Sequence, residues 1–234
     1  YIELPNSIKS VEEGTFAFSG LEKINLPNSI MQIKKYAFLQ CGKLNKINLP
    51  KSITEIETNA FQSCSGLSVF EVDRENPYYS SKDSVLFDKQ QTALIQYPIG
   101  KQGEYKVPNS VKTIKQWSFL ESKKLTAIDI PNSVTSIEPG AFRECEALIK
   151  VSLSNAIDSI ASFTFQRCLK LERIEIPNSV SSISKYAFSY CSSLSSISFP
   201  NALKIIEPFA FFGSSIDNVN IPASVSNIDN SAFI

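Results

Sequence analysis

Hydrophobic positions return along this chain with a period of 23 residues. Aligned on one phenylalanine, the repeat reads L-x-x-I-x-(I/L)-P-x-S-(V/I)-x-x-I-x-x-x-A-F-x-x-C-x-x. That Phe falls at Phe16, Phe38, Phe61, Phe119, Phe142, Phe165, Phe188, Phe211 and Phe233. The residue before it is only Ala, Thr or Ser, and the residue three after it, where present, is only Cys or Ser. Columns so restricted are expected to face inward. A period in the range of roughly 20 to 50 residues marks a repeat architecture, in which one unit cannot bury its own apolar face and stacking supplies the core.

Within one unit, Ile174 and Ile176 alternate with Arg173 and Glu175, the period-2 signature of a strand with one buried face. Pro177 ends that strand because it lacks a ladder donor, and Asn178-Ser179 supplies turn chemistry. Val180 and Ile183 then return to the core, and Lys185 to Cys191 is expected to hold one or two short helical turns. In two sister units Pro139 and Pro208 would occupy the first helical position. The expected fold is a repeat solenoid of about ten right-handed rungs, roughly 43 Å long. A parallel sheet would form one face and short helices or turns the other, with residues 1–234 as a single domain. The spacing breaks once: Phe61 to Phe119 is 58 residues, one period of 23 plus 35. The insertion is assigned to 74–104, where Val85-Leu86-Phe87 and Ala93-Leu94-Ile95-Gln96-Tyr97 flank a polar stretch and predict a β-hairpin. Functional residues are often carried on such excursions.

The run of I-P-N-S-V, I-x-x-x-A-F and x-x-C-x-x-L resembles the BspA-type leucine-rich repeat. The stretch Asn76-Pro77-Tyr78-Tyr79 through Asp83-Ser84-Val85-Leu86-Phe87, with Tyr97-Pro98, is similar to an insertion frequent in that family, Ser84 standing where Gly is usual. The resemblance implies a surface-exposed or secreted protein of bacteria or protozoa that adheres to host or microbial proteins, and it carries over no catalytic residue. The first residue is not Met, Tyr1 enters inside a strand and Ile234 follows the last repeat Phe directly, so a fragment of a longer chain is expected.

Charge and chemistry narrow the classes. Twenty-three basic and 23 acidic residues cancel, which removes the field that would gather nucleic acid. No apolar run reaches the roughly 18 residues of a membrane span, so no membrane insertion is expected of this stretch. There is no His, which removes Ser-His and Cys-His nucleophilic machinery and most zinc sites. No cofactor or metal is expected. Cys41, Cys64, Cys145, Cys168 and Cys191 share a column that also accepts Ser19, Ser122 and Ser214, the pattern of unbonded core thiols. Ser182-Ile183-Ser184-Lys185 matches the S-x-x-K of penicillin-binding enzymes without its companion motifs. Asp129 and Glu175, two rungs apart, stand at about an inverting glycosidase's carboxylate separation, but no aromatic sugar platform lies in their strand columns.

Two surfaces remain as candidates for binding. One is the polar strand column of Glu3, Asn25, Asn48, Glu71, Lys106, Asp129, Ser152, Glu175, Ser198 and Asn220. The other is aromatic: Tyr36, Trp117, Phe163, Tyr186 and Phe209 stand two residues before their Phe, and on a helix such a pair points to opposite sides. Phe163, Tyr186 and Phe209 fall in consecutive repeats, with Tyr190 and Phe212 close by, so these five are the candidate protein-binding residues, because aromatics dominate interface hot spots. The competing assignment for the column is lateral packing between rungs. The functional expectation is a non-enzymatic recognition or adhesion module with a protein partner, the alternative a passive spacer presenting other domains.

Overall fold

A computed structural model describes residues 1–234, which form two compact units, Tyr1–Lys101 and Gln102–Ile234. Both are built from the same rung. Most rungs open with a strand that pairs in parallel with that of the next rung: in the first unit Lys46–Leu49 with Val69–Val72, and in the second Gly103–Lys106, Leu125–Asp129 and Lys150–Ser152 in succession. The alternation read from sequence is present: Ile47 and Leu49 are buried, while Lys46 and Asn48 are exposed. The proline then closes a tight turn, its carbonyl accepting the N–H three residues on, as in Pro177 from Val180 at 3.0 Å. A second, two-residue strand follows in a separate parallel ladder, such as Ser10–Val11, Gln32–Ile33 and Glu55–Ile56 in the first unit. In the second unit Ser159–Ile160, Ser182–Ile183, Ile205–Ile206 and Asn227–Ile228 pair likewise.

The expected short helices are absent; no residue is helical, and the segment around each Phe is a stack of turns. The backbone gives the reason. Residues two before and two after the Phe take left-handed φ, as in Tyr36 at 59° and Gln40 at 55° around Phe38, and Tyr186 at 59° and Tyr190 at 57° around Phe188. A right-handed helix does not pass through such residues. The N–H of the Phe itself is spent on the next rung, as in Phe38 to Ala60 at 2.9 Å and Phe165 to Ala187 at 2.8 Å, so no i→i−4 ladder forms. Pro139 and Pro208 sit in these turns, their carbonyls accepting the N–H of Trp117 and Tyr186 from the preceding rung.

The core Phe rings stack along each unit. Phe38 lies 5.3 Å from Phe16 and 5.2 Å from Phe61, while Phe142, Phe165 and Phe188 follow at 5.4 and 5.3 Å. The insertion in the first unit is a three-stranded antiparallel meander of Tyr79–Lys82, Val85–Asp88 and Ala93–Gln96, one strand more than the expected hairpin. Its first turn, Asp83 and Ser84, has φ of 50° and 69°, the geometry of a type I′ hairpin turn, with Ser84 where Gly would be unstrained.

Candidate functional site

The left-handed turn two residues before the core Phe decides where the aromatic column points. It turns Phe163, Tyr186 and Phe209, all at φ near 60°, off the core so that each is only partly buried, while Phe165, Phe188 and Phe211 fill the interior. The displaced rings stack on one another: Phe163 to Tyr186 at 5.3 Å and 16°, Tyr186 to Phe209 at 5.0 Å and 7°. Phe212 meets Phe209 edge-on at 5.8 Å and Tyr190 edge-on at 5.3 Å. The five candidate residues therefore form one continuous aromatic cluster, with Tyr190 the most open at 45% exposure. Trp117 extends it. The ring of Trp117 fills the space over Gly140, where a Cβ would come within 1.8 Å, and reaches Phe163 at 6.4 Å.

Cations stand beside the rings. The Lys185 ammonium lies 5.2 Å from the Tyr186 ring centre and the Arg143 guanidinium 5.8 Å from that of Trp117. Glu138 and Glu207 cap the turns of the preceding rung by accepting the backbone N–H of Gln116 at 2.9 Å and Lys185 at 2.8 Å. Glu57 does the same for Lys35 at 2.8 Å, and that bond, helped by Lys34, holds its carboxyl below the usual range. The repeat pattern carried no sign of this role for a Glu four residues before the Phe, since Lys, Ala and Ser also occupy the column.

The polar strand column is exposed throughout, and part of it is paired across rungs, with Lys106 to Asp129 at 3.6 Å and Lys46 bridging Glu71. Asp129 is thus half of a surface ion pair. Ser182 lies in a paired strand, and Lys185 engages Glu207 through its backbone and the Tyr186 ring through its ammonium, so S-x-x-K is here a pair of repeat columns. Each Cys thiol donates to the Phe carbonyl of the rung before, from Cys41 to Phe16 at 3.0 Å through Cys191 to Phe165 at 3.0 Å. Burial pushes the thiol of Cys191 up to about 12 and those of Cys145 and Cys168 well above their ordinary value. Cys41 is lowered to about 6 by hydrogen bonding from Cys64 and then from Ser19, against the opposing effect of burial.

Sequence reasoning missed Asn76. This fully buried residue ties the meander to its rung with four bonds. Its amide donates to the carbonyls of Pro50 at 3.0 Å and Ile53 at 2.9 Å, and its oxygen accepts the N–H of Tyr78 and Tyr79, both at 2.8 Å. Asn76 entered only as the first residue of the stretch similar to the family's insertion, with no role of its own. The serine of P-x-S was likewise more than turn chemistry: Ser52 and Ser179 each donate to a carbonyl of the preceding rung at 2.6 Å, as does Ser154 from the proline column of its own rung.

The profile of the BspA type leucine rich repeat region (6 copies) matches residues 1–98 and 112–234. A leucine rich cell surface protein from Faecalibacterium prausnitzii is 31% identical over 97% of this chain, with a TM-score of 0.82. The pneumococcal vaccine antigen PcpA is 27% identical over 97% of the chain, also with a TM-score of 0.82. A leucine-rich repeat protein from Eubacterium ventriosum, 24% identical over 99% with a TM-score of 0.79, shows likeness of fold. The chain spans 58%, 55% and 75% of these three proteins respectively. No curated protein matches it. With its profile matched along nearly the whole sequence, the chain belongs to the BspA-type leucine-rich repeat family and is a repeat scaffold, not an enzyme.

Proposed function

We propose that this chain is a cell-surface or secreted recognition module that adheres to a host extracellular or microbial surface protein, with the aromatic cluster of Phe163, Tyr186, Phe209, Phe212 and Tyr190 as its anchor. The carrying observation is that these rings stand outside the core, and that four of them, Phe163, Tyr186, Phe209 and Tyr190, do so on backbone that favours glycine. A left-handed L-residue costs roughly 1–2 kcal/mol, and a stacked aromatic pair contributes about 0.5–1.5 kcal/mol. The stacking increment and the backbone cost are of one order, and Gly14 and Gly140 fill the same column without strain, so the turn itself does not call for a ring there. What the rings add is a concentrated apolar surface with cations at its rim, the makeup of an interface hot spot. A stable contact needs roughly 800 Å² per side, so the cluster would anchor a larger footprint. The surface location draws support from the Faecalibacterium prausnitzii relative, itself a cell surface protein.

The experiment is a binding screen of the immobilised chain against purified host extracellular proteins and bacterial surface proteins, followed by the Tyr186→Ala/Phe209→Ala double variant. At least one protein should bind the parent saturably and lose most of its affinity for the variant at an unchanged circular dichroism spectrum. A screen in which nothing binds would favour the spacer role, and equal binding by the two forms would remove the cluster from the site.

A further inference from the structure

The geometry of the ladder limits what it can touch. Tyr186 has Phe163 at 5.3 Å on one side and Phe209 at 5.0 Å on the other, both near parallel, and the Lys185 ammonium over its ring at 5.2 Å, so its two faces are taken. What it leaves toward solvent is ring edge and hydroxyl. The face of an aromatic ring carries the negative part of its quadrupole and the edge the positive part. A sugar ring lays its C–H bonds on an open, electron-rich face, and the middle of this stack offers none. A carboxylate is attracted to the edge.

Charge beside the stack has the same sign. Lys185 holds its ammonium 5.2 Å from the Tyr186 ring centre, and Arg167 is exposed on the turn of the preceding rung; neither is held in a salt bridge. Against them stands Glu207, one of whose oxygens accepts the Lys185 N–H at 2.8 Å. Farther along, the charges cancel in pairs, with Lys115 to Glu138 at 2.8 Å and Arg143 to Glu144 at 3.4 Å. The turns carrying Phe163, Tyr186 and Phe209 therefore present excess positive charge at an apolar cluster.

We infer that this edge-on ladder docks an acidic, extended segment of the partner protein, whose Asp and Glu carboxylates meet the ring edges, the Tyr186 and Tyr190 hydroxyls, and the Arg167 and Lys185 cations. The inference rests on the recognition function proposed above and narrows it to partner chemistry. Apolar side chains of the segment would cover Phe209 and Phe212, and long-range attraction would speed encounter and weaken as salt rises.

The test is fluorescence anisotropy with the full chain and three probes. They are a labelled peptide of about a dozen residues mixing Asp, Glu and Phe, the same peptide with Lys for each acid, and a labelled linear glucose oligosaccharide. The acidic peptide should bind in a salt-sensitive manner. Charge reversal by Arg167→Glu/Lys185→Glu should weaken it by about tenfold or more, and Arg167→Gln/Lys185→Gln by less. These sites are exposed, so melting temperatures should match the parent. No binding by the acidic peptide, equal binding by the lysine peptide or the oligosaccharide, or indifference to charge reversal would each overturn the inference. A protein from the screen that needs Tyr186 and Phe209, yet is not displaced by the acidic peptide, would overturn the acidic chemistry and leave the recognition function standing. A screen with no ladder-dependent ligand would remove that function itself.

Discussion

Phe165 is fully buried between Phe142 and Phe188, whereas Phe212, one residue beyond the core Phe of its rung, is only partly buried and packs against rings. Both are phenylalanines, and their surroundings set different costs. Phe165→Ala empties the centre of an interior rung and should lose about 3–5 kcal/mol. Phe212→Ala should lose less than about 1 kcal/mol, since little apolar area returns to water. Urea midpoints separate the two, and equal shifts would refute the assignment of inside and outside. Asn76 is decided by hydrogen bonds instead. Asn76→Ala orphans two carbonyls and two N–H groups and should cost about 2–4 kcal/mol. Asn76→Asp keeps the shape but sets an ionised oxygen against the carbonyls of Pro50 and Ile53. Its deficit in urea should shrink as pH falls, because the protonated acid regains one donor; a deficit independent of pH would contradict this bonding. The Phe column was legible because restricted residue choice repeats nine times. Asn76 occurs once in the insertion, and a satisfied buried amide leaves no periodic trace.

The turn stack is the element that sequence reasoning got wrong. Room for a helical turn, an Ala beside a Phe and a leading proline all suit a short helix. The deciding variable is the sign of φ at residues such as Tyr186, Tyr190 and Arg167, and local preference reserves positive φ for Gly and Asn. Cross-rung bonds such as Phe188 N–H to Ala210 at 2.7 Å override that preference, and bonds between repeats are invisible within one repeat. The aromatic column packs laterally from rung to rung beside the core Phe column, and turns rather than a helix put it there. Close approach between rungs appears again where the chain turns toward the first sheet. A Cβ on Gly66 would lie 2.5 Å from the Gly42 carbonyl oxygen, whereas one on Gly20 would meet nothing within 4 Å. Gly66→Ala should therefore lower stability by about 1–3 kcal/mol, while Gly20→Ala should be neutral or raise it by about 0.4–1 kcal/mol. Thermal melts of the two single variants check this, and a tolerated Gly66→Ala would show that the rungs yield more than the contact implies.

Across the whole molecule the same rung serves two ends: tight internal satisfaction and an outward cluster. The five thiols are unbonded and hydrogen-bonded to backbone, so a reducing agent should leave the melting temperature unchanged. Timed alkylation read by mass spectrometry should modify Cys41 before Cys145, Cys168 or Cys191, because hydrogen bonding favours the Cys41 thiolate while burial disfavours those three. The reverse order would contradict that placement. The parallel repeat solenoid was readable from periodicity, but the short helices expected on its other face are turns, and the candidate aromatics stood out only as a shared column. Their mutual stacking was not readable, since ring orientation depends on the left-handed turns. The measurement that bears most directly on the central claim is a comparison of dissociation constants for one bound protein across three forms. These are the parent, Tyr186→Ala/Phe209→Ala on the ladder, and Ser152→Ala/Ser198→Ala on the strand face. Large rings bury much apolar area at low rotamer cost, while exposed serines exchange one set of hydrogen bonds for another. The ladder variant should bind about tenfold or more weakly and the strand-face variant within about twofold of the parent. Loss confined to the strand-face variant would place recognition on the sheet and contradict the account.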